Sequence, residues 1–275
     1  MQPSQQIPTL FDRSALAARR RRVRDDALFL HRIAREEVED RLSMVKRTFT
    51  SPAVITPVPD IWGDLMPGLK VIPDAEVLDL SVQEHDLVIH AMALHWANDP
   101  VGQIIQSRRA LTPDGLFLSL AFGGRTLNEL RTALAEAETA VTGGLSPRVA
   151  PMAEIRDMGA LLQRAGLALP VADTVDLTAD YRDVLHLMQD LRAMGEANAM
   201  TDRLRHPTRR AVFAEAQRIY ADRFARPDGR LPATFELICL TGWAPDASQP
   251  QPLRPGSAAQ RLADALGTEE FKLPD

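Results

Sequence analysis

The chain has 275 residues and a mass of 30.4 kDa, a length that fits one or two domains. Hydrophobic residues make up 45% and charged residues 25%, the balance of a globular chain, and one cysteine, Cys239, excludes both an intramolecular disulfide framework and a cysteine-rich metal site. With 32 Lys+Arg against 37 Asp+Glu the net charge is −5, so no nucleic-acid footprint is expected. The run Arg19, Arg20, Arg21, Arg22 and Arg24 is the basic exception; it suits a phosphate or an acidic partner, or else a solvated helix face. Residues 1–15 lack the basic stretch and apolar run of a secretion signal, and nothing approaches the ~18 uninterrupted apolar residues of a spanning helix. The expectation is a soluble, cytoplasmic chain that does not span a membrane.

In chain order, Val23, Ala27, Leu30, Ala34, Val38, Leu42, Val45 and Phe49 recur at three- and four-residue steps and predict a helix over 15–49. Pro52, Pro57, Pro59, Pro67 and Pro73 keep 51–75 out of long helices and leave 53–56 and 69–72 as short strands. A weaker run at 77–80 precedes the compact strand Asp86–His90. A helix at about 99–111 follows, then the turn Pro113-Asp114-Gly115 and the strand 116–120. Strand, helix, turn and strand in that order make a βαβ unit. Helices are expected at about 126–141 and 152–165, the second stopped by Gly166, with a strand at 174–178. Helices at about 180–197 and 208–224 and the strand Phe235–Trp243 complete the domain. Residues 1–50 read as a helical arm, 51–245 as one α/β domain with a helical insertion at about 180–225, and 246–275 as an extended tail containing an amphipathic piece at 259–266.

In open, mainly parallel sheets ligands sit outside the carboxyl ends of the strands, which directs attention to the segments after residues 56, 72, 90 and 120. His95, Trp96 and Asn98 follow one such strand. A histidine there suits general-base catalysis, or else His95 and Trp96 form a buried structural pair. Gly123-Gly124-Arg125 follows another strand and offers either backbone amides to a ligand or a tight turn. Arg13 and Arg148 lie in loops where either a carboxylate, an acidic partner segment or an ordinary ion pair would meet them. His85, His90 and His95 recur at intervals of five, a spacing that fits neither a strand face nor a helix face, so no metal site is expected. Cys239, in a buried strand, reads as a small inert hydrophobe.

Several segments carry a resemblance together. They are Leu10-Phe11-Asp12-Arg13, Leu94-His95-Trp96, Arg108-Arg109-Ala110-Leu111, Gly143-Gly144…Ser146-Pro147-Arg148-Val149, Leu191-Arg192-Ala193-Met194-Gly195, Gly242-Trp243-Ala244-Pro245 and Leu253-Arg254-Pro255-Gly256-Ser257-Ala258. The chain resembles the class I S-adenosylmethionine-dependent methyltransferase-like family that contains the mitochondrial respiratory complex I assembly factor five. More distantly it is similar to the malonyl-acyl-carrier-protein methyltransferase of biotin synthesis. The resemblance spans nearly the whole chain and is poor between about residues 50 and 80.

It implies a Rossmann-like class I methyltransferase fold with S-adenosylmethionine as cofactor and a protein substrate or assembly partner in complex I assembly. It also implies that Asp74 stands where the family has the acid that contacts adenine, unless it is a turn acid after Pro73. The family's first strand ends in an acid and a glycine-rich turn. Here the equivalent stretch, 53–60, has no glycine and two prolines, and the first half looks shortened by a helix and a strand. Three functions follow from the resemblance: a methyltransferase, a non-catalytic assembly or binding protein of the same fold, and a protein arginine hydroxylase of the assembly-factor type.

Overall fold

The computed structural model describes residues 9–250 and Gly267. It divides into Met1–Pro245 and a second unit, Asp246–Asp275. In the second unit Asp246 accepts the Ser248 N–H at 2.9 Å and the Ser248 hydroxyl at 2.6 Å. Apart from Gly267, the remainder of the expected extended tail, with the Leu253–Ala258 motif and the amphipathic piece 259–266, lies outside the described residues.

The single helix expected over 15–49 is two helices, α1 (Arg13–Arg20) and α2 (Phe29–Met44), separated by a 3₁₀ turn at Asp25–Ala27. Arg19 to Arg22 crowd like charges where α1 ends. Arg24 then turns extended so that its N–H reaches the Ala193 carbonyl at 2.9 Å. The buried face of α2 follows the sequence periodicity, with Leu30, Ala34 and Val38 inside. Val45 is already extended, so Val45 and Phe49 pack on the core from outside the helix.

The domain continues with β1 (Pro52–Thr56), α3 (Pro59–Trp62), β2 (Lys70–Pro73), β3 (His85–Ala91) and α4 (Pro100–Ala110). Then come β4 (Leu111–Phe122), α5 (Asn128–Thr142), α6 (Ile155–Arg164) and β5 (Ala168–Tyr181). Helices α7 (Val184–Ala193) and α8 (Arg210–Phe224) precede the last strand, β6 (Leu231–Trp243). The weak run at 77–80 forms no strand; it is a loop whose Leu78 N–H donates to Gln106 Oε1 at 2.8 Å. The expected turn at 113–115 is a kink inside β4, with Asp114 at φ 59°. β5 extends well past 174–178, because it pairs with β6 from Ala168 to Tyr181.

The sheet order is β2-β1-β3-β4-β6-β5. The pairs β1·β2, β1·β3 and β3·β4 are parallel, while β6 runs antiparallel to both β4 and β5. Five strands therefore share one direction and β6 alone is inverted. Alternate residues bury on opposite faces. Leu87, Ile89, Leu116, Leu118, Leu237 and Cys239 pack under α2, α3, α5, α7 and α8, whereas Val88, Phe117, Ile238 and Leu240 pack under α4 and α6. This open, mainly parallel sheet covered on both faces is the Rossmann-like class I architecture. Its first half is short: only the four-residue α3 and a loop connect β1 to β2.

Helix α4 is held in place by its cap. Asp99 accepts the Gly102 N–H at 2.8 Å, and Pro100 occupies the first turn, where no amide donor is needed. Asp99→Ala is expected to cost about 1 kcal/mol, the usual loss for an N-cap carboxylate. Urea unfolding midpoints of the two proteins check it.

Candidate functional site

The carboxyl ends of β1 to β4 are covered by the N-terminal arm, which is fastened at several points. Phe11 N–H donates to Asn98 Oδ1 at 2.8 Å, and Asn98 Nδ2 donates back to the Phe11 carbonyl at 3.1 Å. Asp12 N–H reaches the Ala199 carbonyl at 2.8 Å, and Thr201 N–H reaches that of Leu10 at 2.9 Å. Phe11, Leu16, Trp96, Ala150, Ala199 and Met200 close around this junction as a small core of their own.

Asp74, just past β2, lies beneath α1 with its side chain 1% exposed. Arg13 Nη2 meets Asp74 Oδ1 and the Asp74 carbonyl, each at 2.7 Å, and Arg20 Nη1 pairs with Oδ2. Burial works to raise this carboxyl, but Arg20 and Arg13 more than offset it and hold it below the usual carboxylate range. Arg13 and Asp74, expected as a partner-facing arginine and a cofactor acid, are thus brought onto each other.

His95 and Trp96 follow β3 in a 3₁₀ turn and converge on Glu196. Trp96 Nε1 donates to Glu196 Oε2 at 2.6 Å, and His95 Nε2 lies 3.2 Å from the same oxygen. The Phe122 N–H donates to His95 Nδ1 at 3.4 Å, so Nε2 carries the proton and both ring nitrogens are engaged. Glu196 owes its position to a Schellman turn ending α7. There the Glu196 N–H returns to the Leu191 carbonyl at 2.9 Å and Gly195 takes φ 84°. A side chain at Gly195 would stand 2.8 Å from Val23 Cγ2, so this junction requires glycine. Burial raises the Glu196 carboxyl, yet His95, Arg20 and His31 keep it below its ordinary value and therefore ionised. His31, buried on α2 with Nδ1 unpartnered, is pushed down to about 4 by burial, against the pull of Glu196.

A cavity of about 130 Å³ opens beside this group. Leu127, Leu130, Met152 and Met188 form apolar walls, and Trp96, Glu196, Arg192 and Asn198 complete the lining. Arg148 also lines it, but both its edges are engaged. It meets Glu138 at 2.6 and 3.0 Å as well as the Thr208 hydroxyl. With Ser146 it holds Glu138 at about 2. Gly123 and Gly124 form the tight turn from β4 toward α5. A Cβ at either would stand 2.3 Å from a carboxylate oxygen, Glu236 at one and Glu154 at the other. The space behind these glycines is filled by acids, a poor setting for an anionic ligand.

Sequence reasoning singled out Arg13, Asp74, His95, Trp96 and Asn98, all of which meet at this sheet edge. It missed Glu196, although the motif ending at Gly195 stopped one residue short of it. It also missed Arg20 and His31 as interior groups. Among the described residues no cluster of three or more His, Cys, Asp or Glu is arranged to hold a metal, and no helix is long and apolar enough to cross a membrane.

No protein-family model matches the chain. Among curated proteins, the arginine-hydroxylase NDUFAF5 of Dictyostelium discoideum is 41% identical over 190 residues, 69% of this chain and 43% of that protein. The malonyl-[acyl-carrier protein] O-methyltransferase of Methylovorus is 37% identical over 177 residues, 64% of this chain and 57% of that one. The family resemblance is homology. The chain spans about half the length of the curated relatives it matches. The NDUFAF5 relatives are named mitochondrial, which overturns the expectation of a cytoplasmic protein. A solved SAM-dependent methyltransferase from Thermotoga maritima is similar at 10% identity and a TM-score of 0.40, over 80% of this chain and 94% of that one.

The residues at the ends of β1 and β2 do not fit S-adenosylmethionine. Pro57 and Pro59 withhold amide donors directly after β1. Asp74 is enclosed by two guanidiniums of the chain itself, and Arg13, Arg20 and Arg21 line the groove that a cationic sulfonium would have to enter. Two outcomes follow. Asp74→Asn leaves two guanidiniums without their buried partner and is expected to cost about 3 kcal/mol, read from urea midpoints. His31, whose folded value of about 4 lies below its ordinary 6.5, binds a proton more readily when unfolded. Stability should therefore fall as pH drops from about 6.5 to 4, with buried His90 adding in the same direction. His31→Leu should flatten that slope in midpoints taken at successive pH values.

Proposed function

We propose that this chain is a methyltransferase-like assembly factor of the complex I type that acts by binding a protein partner rather than by transferring a methyl group. The observation that carries the reading is the Arg13–Asp74–Arg20 lock, which commits the acid of the cofactor edge to the chain's own arm. Homology to the named assembly-factor relatives supports the assembly role. The cavity beside Trp96 supports the binding role: its apolar walls suit the stem of a partner side chain, and Glu196, Arg192 and Asn198 suit a polar head.

A second reading, hydroxylation of an arginine as the relatives' name states, is favoured by one feature. Glu196 is ionised and lines that cavity, so a guanidinium would find a carboxylate there. The assembly reading and the methyltransferase reading separate in a thermal-shift experiment. A ligand at 100 times its dissociation constant adds about 2.7 kcal/mol of stability. S-adenosylmethionine is expected to leave the melting point unchanged, and a clear rise would restore the enzyme. In a deletion strain, assembled complex I should fall; unchanged levels would remove the assembly role.

A further inference from the structure

At about 130 Å³ the cavity beside Trp96 falls below the ~300–1,000 Å³ of sites for drug-sized molecules, and it has room for one side chain. Leu127 keeps its place in the wall at φ 57°, a left-handed backbone that leucine rarely adopts, with its N–H on the Thr234 carbonyl at 2.8 Å. Three charged residues line the space: Arg148, Arg192 and Glu196. Arg148 is spent on Glu138, and Arg192 is exposed. Glu196 is different, an ionised side chain only 6% exposed. Its Oε2 alone takes both Trp96 Nε1 and His95 Nε2. Among the described residues no donor reaches Oε1. Nor is Oε1 one of the fully covered atoms left without a partner, so the surface it keeps opens on the cavity. A carboxylate oxygen so enclosed demands a donor.

A guanidinium meets a carboxylate through two parallel N–H bonds to two oxygens. Here Oε2 is already filled, so that fork finds one oxygen, and Arg148 and Arg192 oppose a further cation. A hydroxyl needs one acceptor and brings no charge. A phenol carries its hydroxyl at the tip of an apolar ring, which suits the leucines and, through sulfur–aromatic contact, the two methionines. Resting on the partner-binding reading, we infer that this cavity seats a tyrosine side chain of the protein partner, its ring among Leu127, Leu130, Met152 and Met188 and its hydroxyl on Glu196 Oε1. Aromatic side chains in desolvated pockets carry much of the binding free energy of an interface, so this tyrosine is the partner's anchor.

The full-length protein is titrated with p-cresol, toluene, n-propylguanidinium and n-butylammonium. Binding is read by calorimetry and by the Trp96 indole N–H resonance, assigned by its loss in Trp96→Phe. An apolar cavity without an acceptor prefers toluene, because a buried hydroxyl without a partner is costly. With Glu196 at its base this cavity should bind p-cresol at least about tenfold more tightly than toluene or either cation. Glu196→Gln should weaken p-cresol by about tenfold and leave toluene within about twofold. Met188→Trp fills the space and should abolish both. No binding of p-cresol at 10-millimolar order, ~10 mM, would overturn the proposal, as would toluene of equal affinity, given the cost of an unanswered hydroxyl. A cation of equal or higher affinity would overturn it and return the cavity to the guanidinium reading. Equal loss of p-cresol and toluene in Glu196→Gln would reduce Glu196 to a structural support and overturn it too. In cells, Met188→Trp should lower assembled complex I as the deletion does. Normal complex I in Met188→Trp beside a loss in the deletion strain would overturn the tyrosine seat and leave the partner-binding reading standing.

Discussion

Asp74 is taken out of water at the end of β2, where its charge could not remain without close compensation, and two guanidiniums from α1 supply it. Because Arg13 and Arg20 lie two turns apart on one helix, satisfying that carboxylate fixes both the position and the rotation of α1. Asn98 fixes the chain just before the helix by pairing with both backbone groups of Phe11. Leu16 then falls against Trp96, and Trp96 is in turn oriented by Glu196. The arm, the turn after β3 and the end of α7 thus form one connected unit whose geometry depends on a single buried acid.

That arrangement changes what the sheet edge can do. A Rossmann-like sheet normally leaves the carboxyl ends of its strands open to a ligand, with free amides and an acid on offer. Here the acid is spent, prolines stand where amides would be, and the surface presented to solvent is cationic. The pocket beside Trp96 lies instead under the helices between β5 and β6, walled by α5, α7 and the loop before α6. The domain thus has two separate places with different chemistry, one apolar with an ionised glutamate and one basic. Such divergence of site from fold is common, because few residues define a site and many define a sheet.

Much of the fold was legible in the sequence because period-two burial on both faces and proline punctuation are local signals. β3, β4 and β6 were found from short apolar runs, and α4 to α8 from their helical spacing. The break between α1 and α2 was not legible, since the apolar stripe continues across Arg21–Leu28. What interrupts it is a distant acceptor, the Ala193 carbonyl. The site was legible by residue but not by pairing. Arg13, Asp74, His95 and Asn98 could each be picked out for its chemistry, yet Arg13 and Asp74 are separated by 61 residues and His95 and Glu196 by 101. One sequence shows no such contact. Glu196 in particular looks like any acid after a helix until the Schellman turn directs it inward.

The arm's partners are also remote along the chain: Leu10 is joined to Thr201, 191 residues later. A polypeptide synthesised from its N-terminus makes the arm first and the surface that fastens it much later. Residues 51–122 can form β1 to β4 while α1 has only Asp74 and Asn98 to hold it, and full attachment waits for Gly195 to Thr201 to emerge.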